Sequence, residues 1–572
     1  MQKKLVFGSS KTKIFRKRVF NFMKPILYSR QQVENYLEMG YWSPAVLTDY
    51  WEKNAERHPD REALVDTLGN RLTFAQVTTQ VDNLALQLIE LGLERDDRVA
   101  IQLPNRVEGF LARLACEKAG LISIALMHTF RHAELLEILG HTETRAIVIP
   151  MEFRRFSYYE MVHQIATQLP HLKHIIVAGD EVPEKAIPLS RMLQSPPGKK
   201  DFSEVPPGRK ISAFDVGFLS STTGTTGPPK IVERTFAAYL CGSRAHLNNW
   251  KITAEDILCA VAPFPGAPGG TPTYFCAPMV GAKVVLLHEY NPIEALKTLE
   301  KEKATVPCLV PAQLAAIMQE SVEGYDLRAL RFIHCSGGYL PPSLAEEAER
   351  RMKCPILVAY GSQDTGMISG TSTEDLPVKR HTTVGRPLAG NEIKLLDDDG
   401  KEVPHGEVGQ LYFRGPQNSS GYYRDPEKTF SEAVDSEGWA TPGDLVRFDE
   451  DGYLVITGRK KDIIIRGGQN IYPGEVESLL IAHPKVSDAA IVAMPDPIMG
   501  EKACAFVILV SGNETFTFAE MTDYLESKRL ARYKLPERLE ILDFFPLAGD
   551  SKINKKKLRE IIAEKLQKEV CL

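Results

Sequence analysis

Hydrophobic residues recur along the chain in two alternating patterns. In residues 73–92 apolar side chains fall at helical spacing and the segment ends at a glycine, whereas 98–103 is a short apolar run typical of a buried strand. The same alternation returns at 107–119 and 121–126. Strand and helix repeating at this interval predict a mainly parallel sheet. Further units are predicted at 145–149, 174–178, 283–287 with 293–301, and 307–310 with 312–319.

Beyond residue 385 the pattern changes to short strands separated by turns rich in Asp, Gly and Pro, which predicts a small antiparallel sheet or barrel. A charged interruption at 458–462 precedes enough helix and strand for a separate α+β domain. We therefore predict an α/β protein with a large N-terminal domain of parallel-sheet subdomains plus a small β subdomain, and a small α+β C-terminal domain. The short strands are predicted at 393–396, 409–414 and 453–457, and the last domain's elements at 475–481, 489–493, 503–509, 518–527 and 552–565. Residues 188–207 contain Pro, Gly and Ser and are predicted to form an exposed connection.

The composition is that of an ordinary globular chain: 572 residues, 43% hydrophobic and 25% charged. A net charge of −5 gives no argument for a nucleic-acid partner. The nine cysteines have no paired spacing, which favours reduced core thiols in a cytoplasmic protein. No run approaches the roughly 18 apolar residues that a membrane helix needs.

Residues 1–24 form a basic segment with eight Lys or Arg residues and no acidic residue. Aromatic and aliphatic side chains interleave with these charges, so weak contact with a membrane surface is one interpretation. The other interpretation is a basic tail packed loosely on the body of the protein.

A run of hydroxyl and glycine residues ending in one lysine follows the apolar residues 216–219. Glycines let backbone N–H groups approach phosphate oxygens, hydroxyls donate further hydrogen bonds, and the lysine supplies charge. The spacing differs from the Walker pattern, which requires four residues between its glycines and a Ser or Thr after its lysine. By itself the run could also be a flexible turn. Its candidate phosphate-binding residues are Thr222, Thr223, Gly224, Thr225, Thr226, Gly227 and Lys230.

Further short motifs follow this run in a fixed order. They are residues 360–364, Gly406 to Gly409, Gly421 with Tyr422, Gly443 with Asp444, Gly458 with Arg459 through Gly468, and Lys552. The series resembles the adenylate-forming acyl-CoA synthetases, aryl acid ligases and luciferases of the ANL superfamily, over residues 30–565. The resemblance implies that a carboxylate attacks the α-phosphate of ATP, and that a thiol then expels AMP from the acyl adenylate. It also implies a large domain at 25–458, a hinge at 459–461 and a mobile C-terminal domain at 462–572.

The resemblance assigns roles around the nucleotide. The hydroxyl- and glycine-rich loop would hold the β- and γ-phosphates, Tyr360 would stack on adenine, and Asp444 would accept both ribose hydroxyls. Asp364 stands where the family carries a glutamate that binds Mg²⁺, so its shorter side chain would have to shift or act through water. The adenine and ribose contacts would come from Gly337, Gly338, Tyr360, Gly361, Ser362, Gln363, Asp444 and Arg459.

Two lysines would serve the two half-reactions. Lys552 matches the lysine that bridges the carboxylate and the α-phosphate, and Lys461 stands at the hinge position. Rotation there would bring Gly467 and Gly468 in to form the thiol tunnel. CoA is the expected thiol because no carrier domain is fused to the chain.

The predicted acid pocket lacks the His or Asn that many relatives carry near Pro265 and Gly266, so we expect an apolar pocket. Its predicted lining is Phe236, Tyr239, Phe264, Pro265, Gly266 and Gly269. An apolar pocket favours benzoate or a cyclohexane-type carboxylate. A short- or medium-chain fatty acid, a stand-alone enzyme loading a carrier protein, and a degenerate regulatory homologue remain alternatives, as do a monomer and a homodimer. The degenerate homologue is disfavoured because the chain retains Lys230, Asp364, Asp444, Arg459 and Lys552.

Overall fold

Most strands of the first 387 residues form two mostly parallel sheets. In the first, the six central strands run parallel and the edges add antiparallel strands. Its spatial order is Arg386–Pro387, Gly366–Gly370, Ile356–Ser362, Ile333–Ser336, Val306–Leu309, Ile257–Ala260, Lys283–Leu286, Glu62–Asp66 and Arg71–Thr73. The second has six parallel strands and one antiparallel edge strand. Its order is Ile231–Thr235, Val216–Ser221, Ile122–Ala125, Arg98–Ile101, Ala146–Pro150, His174–Ala178 and Ile187–Pro188.

The computed structural model describes most, but not all, of the chain. The described residues are 27–179, 181–194, 202, 205, 207–222, 230–435, 437–467, 469–510, 515–548 and 552–570. The predicted tail at 1–24, the residues Thr223, Gly224, Thr225, Thr226 and Gly227, and Gly468 lie outside this part.

Helices pack against both faces of the parallel sheets, as the alternating pattern predicts. The periodic segment 73–92 forms the helix Phe74–Glu90, which begins at a capping box between Thr73 and Gln76. The helices of the first 387 residues are Arg30–Glu38, Leu47–Arg57, Phe74–Glu90, Val107–Ala119, His132–His141, Tyr158–Ala166, Leu189–Gln194, Phe236–Trp250, Ala267–Gly270, Thr271–Cys276, Ala277–Val280, Pro292–Glu302, Pro311–Met318, Pro342–Met352 and Pro377–Thr382. The three from Ala267 to Val280 are continuous, with a π-turn in the middle.

The prediction of an exposed connection at 188–207 is wrong for its first part. Residues Leu189–Gln194 form a helix whose Leu189, Met192 and Leu193 are buried. These apolar side chains recur at helical spacing and pack into the same core as Phe74–Glu90. The spacing was present in the sequence, but the surrounding Pro and Ser residues obscured it.

The change of pattern beyond residue 385 corresponds to two smaller sheets. A four-stranded antiparallel sheet contains Glu392–Leu396, Gly409–Arg414, Asp444–Phe448 and Leu454–Arg459. A five-stranded sheet contains Gln469–Ile471, Ile464–Arg466, Gly500–Leu509, Val486–Asp496 and Arg538–Ile541. Helices Pro473–Ile481, Phe518–Ser527 and Lys555–Val570 belong to the second region, and Lys552–Ile553 pairs with Leu547–Ala548 in a short hairpin. The α/β fold class with a large first part and a small second part is confirmed.

Two further observations concern the described residues alone. Their eight cysteines are all buried free thiols. None of their helices combines the length and apolar character needed to cross a bilayer.

The parallel strands fix the place where a site can form. Strands Val306–Leu309, Ile333–Ser336 and Ile356–Ser362 are neighbours and run in the same direction, so their carboxyl ends meet at one edge of the sheet. Ligands of open α/β sheets bind at this edge. The residues of the predicted adenine loop, at 336–338 and 360–364, lie there.

Gly385 provides a test of how the large sheet is joined to the four-stranded sheet. Its backbone carbonyl accepts a hydrogen bond from Leu454 at 3.0 Å. Its φ is +82°, and a Cβ would lie 2.0 Å from the carbonyl carbon of Gly370. We expect Gly385→Ala to lower the free energy of unfolding by at least about 3 kcal/mol, because backbone strain and a clash with main chain add together.

Gly400→Ala is the matched control for this prediction. Gly400 has a φ of +78° but no atom within 4 Å of a Cβ, so only the strain of about 1–2 kcal/mol applies. Thermal melting of both variants measures the difference. Equal melting temperatures would show that the junction tolerates a side chain.

Candidate active site

A cavity of about 1170 Å³ opens at the carboxyl edge of the large sheet. It is lined by residues of both parallel sheets, the four-stranded sheet and the Lys552 hairpin. The predicted site residues that line it are Thr222, Lys230, Tyr239, Pro265, Gly266, Gly337, Tyr360, Gly361, Ser362, Gln363, Asp364, Arg459, Lys461 and Lys552. Residues as distant in sequence as Thr222 and Lys552 therefore share one cavity.

The ends of the predicted phosphate loop are held together by backbone geometry. Strands Val216–Ser221 and Ile231–Thr235 pair antiparallel, so the loop between them starts and ends at one point. The Thr222 N–H donates to the Lys230 carbonyl at 2.9 Å, and the Lys230 N–H donates to Thr222 Oγ1 at 3.0 Å. Lys230 Nζ lies 3.2 Å from the Tyr422 hydroxyl, which places the ammonium group at the cavity wall.

Asp444 organises two side chains of the nucleotide side. Its carboxylate accepts a hydrogen bond from the Tyr360 hydroxyl at 2.5 Å and another from Arg459 Nε at 2.8 Å. Asp444 is buried and does not itself line the cavity, whereas both partners do. Burial and the Asp444 anion raise the pKa of Tyr360 well above its usual value, so its hydroxyl stays a donor. The same anion raises the pKa of Arg459.

Asp364 presents an oxygen that the described residues leave without a partner. Its main chain is fixed, because its N–H donates to Ser362 Oγ at 3.1 Å and its carbonyl accepts from Ser419 Oγ at 2.5 Å. Its Oδ1 is buried and has no hydrogen-bond partner among the described residues. An unpaired carboxylate oxygen at a cavity wall is suited to a hard cation, which takes oxygen ligands from protein and phosphate together.

Lys552 enters the cavity from the C-terminal part of the chain. The side chain is solvent-accessible, but it lies within a concave wall, and this partial desolvation lowers its pKa. Arg459 and Lys461 lower it further, whereas Asp444 and Asp364 oppose the shift. The pKa of Lys461 is lowered mainly by the same loss of water. Lys428 and Lys460, which sequence reasoning missed, also line the cavity.

Six of the predicted residues that the structure describes lie outside the cavity lining. The Phe236 ring packs on Phe218 at 5.4 Å, and the Phe264 ring packs on Phe110 at 4.9 Å, because both side chains point into the core between sheet and helices. Gly269 belongs to the helix Ala267–Gly270, and a Cβ there would lie 2.5 Å from the carbonyl oxygen of Ala262. The other three are Gly338, Gly467 and Asp444.

The apolar acid pocket stays a prediction, but polar side chains also line this cavity. The buried Arg234 lines the cavity and donates to the Gln363 carbonyl at 2.6 Å, and the Tyr239 hydroxyl lies 3.0 Å from Thr271 Oγ1. Thr271 begins the π-turn, a distortion that is frequent at functional sites. The absence of His or Asn near Pro265 carries no information about Arg234 or Thr271.

His246, Trp250 and His334 also line the cavity and were not predicted. Tyr239, His246 and Trp250 are seven and four residues apart in one helix, so they share a face. His334 lies on the strand Ile333–Ser336, and its Nε2 is 3.0 Å from Ser336 Oγ. Helical spacing from Tyr239 could have identified the first two.

Comparison with known proteins agrees with this geometry. Residues 51–423 match the AMP-binding enzyme family, and residues 475–552 match the AMP-binding enzyme C-terminal domain. The chain therefore belongs to the AMP-binding enzyme family. It is an AMP-forming acid–thiol ligase that uses ATP, as the motifs predict.

Relatives within the family act on different acids. The medium-chain fatty-acid–CoA ligase of Escherichia coli K12 is 33% identical and is covered over 97% of both chains. The 2,3-dihydroxybenzoate–AMP ligase of Bacillus subtilis 168 is 32% identical, with 93% of this chain and 96% of the relative covered.

Solved structures share the architecture. ATP-bound MatB from Rhodopseudomonas palustris superposes with a TM-score of 0.79 at 25% identity, covering 90% of this chain and 99% of MatB. An anthranilate–CoA ligase in complex with anthranoyl-AMP superposes with a TM-score of 0.83 at 24% identity, covering 92% and 98%. At that identity the second similarity concerns the fold alone.

The buried histidines predict an acid-sensitive fold. Burial lowers the pKa of His246 and of His334 to about 3, so both are neutral in the folded protein at neutral pH. An unfolded histidine binds a proton near pH 6.5, so stability should be lost as the pH falls from about 6.5 towards 3. Between pH 7 and pH 5, the free energy of unfolding of His246→Gln should therefore fall by about 2 kcal/mol less than that of the parent.

Melting temperatures at pH 7 and pH 5 measure this difference, with His405→Gln as the control. His405 is exposed on a turn, so its replacement should leave the pH dependence unchanged. The same pH dependence in the parent and in His246→Gln would contradict the burial argument.

Proposed function

We propose that the protein is an AMP-forming acid–CoA ligase, which converts ATP, a carboxylic acid and CoA into acyl-CoA, AMP and pyrophosphate through an acyl adenylate. One observation supports this most strongly: Lys552 lines the same cavity as Lys230, Tyr360, Asp364 and Tyr239. A cation between a nucleotide site and an acid site can hold both reacting anions.

In the first step a carboxylate oxygen forms a bond to the α-phosphorus while the bond to the β-phosphate oxygen breaks. Lys552 would bind the carboxylate and an α-phosphate oxygen, and Lys230 with the loop that it closes would bind the departing pyrophosphate. Tyr360 would stack on adenine, and Arg459, which Asp444 holds in place, would contact the ribose side. Asp364 would contribute one carboxylate to Mg²⁺, which when bound offsets phosphate charge.

The second step needs room for a thiol. We infer that rotation at Lys461, within the hinge 459–461, withdraws Lys552 and brings Gly467 to the cavity, where CoA attacks the acyl carbon and AMP leaves. A left-handed φ of +54° at Gly467, where a Cβ would lie 2.5 Å from Met499 Cε, is consistent with a close backbone approach.

The acid would be compact and cyclic, such as benzoate or cyclohexane carboxylate, if it occupies only the part of the cavity beside Tyr239 and Pro265. A second candidate is a medium-chain acid, because the cavity continues along the helix as far as Trp250. The fatty-acid–CoA ligase relative from Escherichia coli also supports this candidate.

The choice of thiol can be tested with purified protein, ATP, Mg²⁺ and a panel of acids. We expect AMP to accumulate steadily only when CoA is present, because otherwise the adenylate remains bound after one turnover. Acyl-CoA is measured by mass spectrometry. Formation of one equivalent of adenylate without acyl-CoA would instead favour an enzyme that loads a carrier protein.

Lys552→Ala should reduce adenylate formation by about 10²- to 10³-fold, by analogy with removal of a preorganised donor to a developing charge. Pyrophosphate release in a single turnover measures the step directly. Lys556→Ala is the control, since Lys556 is exposed on the adjacent helix and does not line the cavity. If Lys552→Ala releases pyrophosphate at the parent rate, Lys552 takes no part in adenylate formation.

A further inference from the structure

The loop at residues 415–420 lies between the N-terminal part of the chain and the candidate active site. Its residues Gln417, Asn418, Ser419 and Ser420 are at most 6% exposed. Gln417 also lines the cavity. Backbone polar groups that are buried in this way need hydrogen-bond partners, because water cannot reach them. The loop finds such partners on two sides.

On the cavity side, the loop holds the backbone around Asp364. The Ser419 hydroxyl donates to the Asp364 carbonyl at 2.5 Å, and the Ser419 N–H donates to the Thr365 carbonyl at 2.7 Å. Gly366 approaches the same loop so closely that a Cβ would lie 2.4 Å from the Gln417 carbonyl oxygen. The position of Asp364 therefore depends on the position of Ser419.

On the outer side, two aromatic residues near the start of the described chain bind the loop. The Tyr28 hydroxyl donates to the Asn418 carbonyl and lies 3.5 Å from the Ser419 carbonyl oxygen. Trp42 Nε1 donates to the Pro416 carbonyl at 2.8 Å, and the Trp42 ring packs edge to face on Tyr28. The two bonds span 390 and 374 positions of sequence, so no local pattern could reveal them.

Asp364 is therefore held from two directions. The residue before it, Gln363, accepts a hydrogen bond on its carbonyl from Arg234 Nη2 at 2.6 Å. Its own carbonyl is held by Ser419, and the loop that carries Ser419 is held in turn by Tyr28. The Tyr28 hydroxyl stays a donor at neutral pH, because burial raises its pKa above the usual value. Loss of this hydroxyl would weaken the second support and leave the first in place.

We propose that Tyr28 is a positioning residue for the metal site: through Asn418 and Ser419 it fixes the position of Asp364 in the cavity wall. The inference rests on the proposed function, in which Asp364 contributes one carboxylate to Mg²⁺. Tyr28 is not part of the cavity lining, so it acts through other residues. One methylene separates an aspartate carboxylate from its backbone, so a displaced backbone displaces the carboxylate. Mg²⁺ tolerates little displacement because it demands near-ideal octahedral geometry.

Calorimetric titration with α,β-methylene-ATP tests the inference without turnover, because this analogue cannot release pyrophosphate. Each protein is titrated once with excess Mg²⁺ and once with EDTA, and the ratio of the two affinities measures the contribution of the metal. We expect Tyr28→Phe to lower this ratio by roughly 3- to 10-fold, as the loss of one hydrogen bond predicts, and to leave the affinity in EDTA close to that of the parent. An unchanged ratio, an equal loss of affinity in both titrations, or a parent that does not respond to Mg²⁺ would overturn the inference.

Tyr36→Phe is the matched control. Tyr36 lies eight residues further along the chain and packs on Trp42 with ring centroids 5.0 Å apart, but among the described residues its hydroxyl has no hydrogen-bond partner. The same chemical change at Tyr36 should therefore leave the response to Mg²⁺ at the parent value. A loss as large as that in Tyr28→Phe would show that general loosening of this part of the chain, and not the Tyr28 hydrogen bond, affects the metal site.

A double-mutant cycle tests the path through Ser419. Ser419→Ala removes the hydroxyl that binds the Asp364 carbonyl, so it should lower the response to Mg²⁺ by itself. If Tyr28 acts through Ser419, Tyr28→Phe should lower the response less in the Ser419→Ala background than in the parent. Fully additive losses would contradict this path. These titrations need neither acid nor CoA, so they decide the inference even if no acid yields AMP and the proposed function fails.

Discussion

The attack of a carboxylate on a triphosphate brings two anions together, and the cavity offers cations from separate elements to meet them. Lys230 lies at the base of a loop, Arg459 ends a strand, Lys461 follows in a short turn, and Lys552 belongs to a hairpin of the C-terminal part. Asp444 and Asp364 oppose the repulsion that Arg459 and Lys461 exert on Lys552. Lys230 comes from the large parallel-sheet part of the chain, whereas Lys552 comes from the small C-terminal part.

Asp444 connects this electrostatic arrangement to the fold. It begins the strand Asp444–Phe448, and its register places it opposite Arg459 at the end of Leu454–Arg459. The Asp444 carboxylate then joins Arg459, the first residue of the proposed hinge, to Tyr360 on the large sheet. A movement at the hinge would therefore start at Arg459, which is hydrogen-bonded to Asp444 in the nucleotide site. This position suits an enzyme whose C-terminal part must rotate between two half-reactions.

Periodic segments could be predicted well from the sequence, because long elements reveal their buried face in the spacing of apolar residues. The helix Phe74–Glu90 and the strand Gly409–Arg414 are examples. The strand predicted at 489–493 extends over Val486–Asp496. Its backbone pairing with Gly500–Leu509 continues past the apolar run to Asp488 at one end and Asp496 at the other, where the side chains do not indicate a strand. The helix Leu189–Gln194 was missed because it is short and flanked by turn-forming residues.

The site could be predicted where a residue's role follows from an ordered motif, and less well where it depends on the direction of a side chain. The charged residues Lys230, Asp364, Arg459 and Lys552 meet in one cavity. Phe236 and Phe264 instead turn into the core, and His246 and Trp250 face the cavity from a helix that is buried on nearly all sides. In such a helix the apolar period does not distinguish the core from a cavity wall.

On the proposed mechanism, this cavity joins an acid to AMP before any thiol takes part. Exchange of labelled pyrophosphate into ATP measures that step. With ATP, Mg²⁺ and an accepted acid, but no CoA, the label should enter ATP, and omission of the acid should abolish the exchange. Exchange that is independent of the acid, or release of ADP and phosphate in place of AMP and pyrophosphate, would contradict the account.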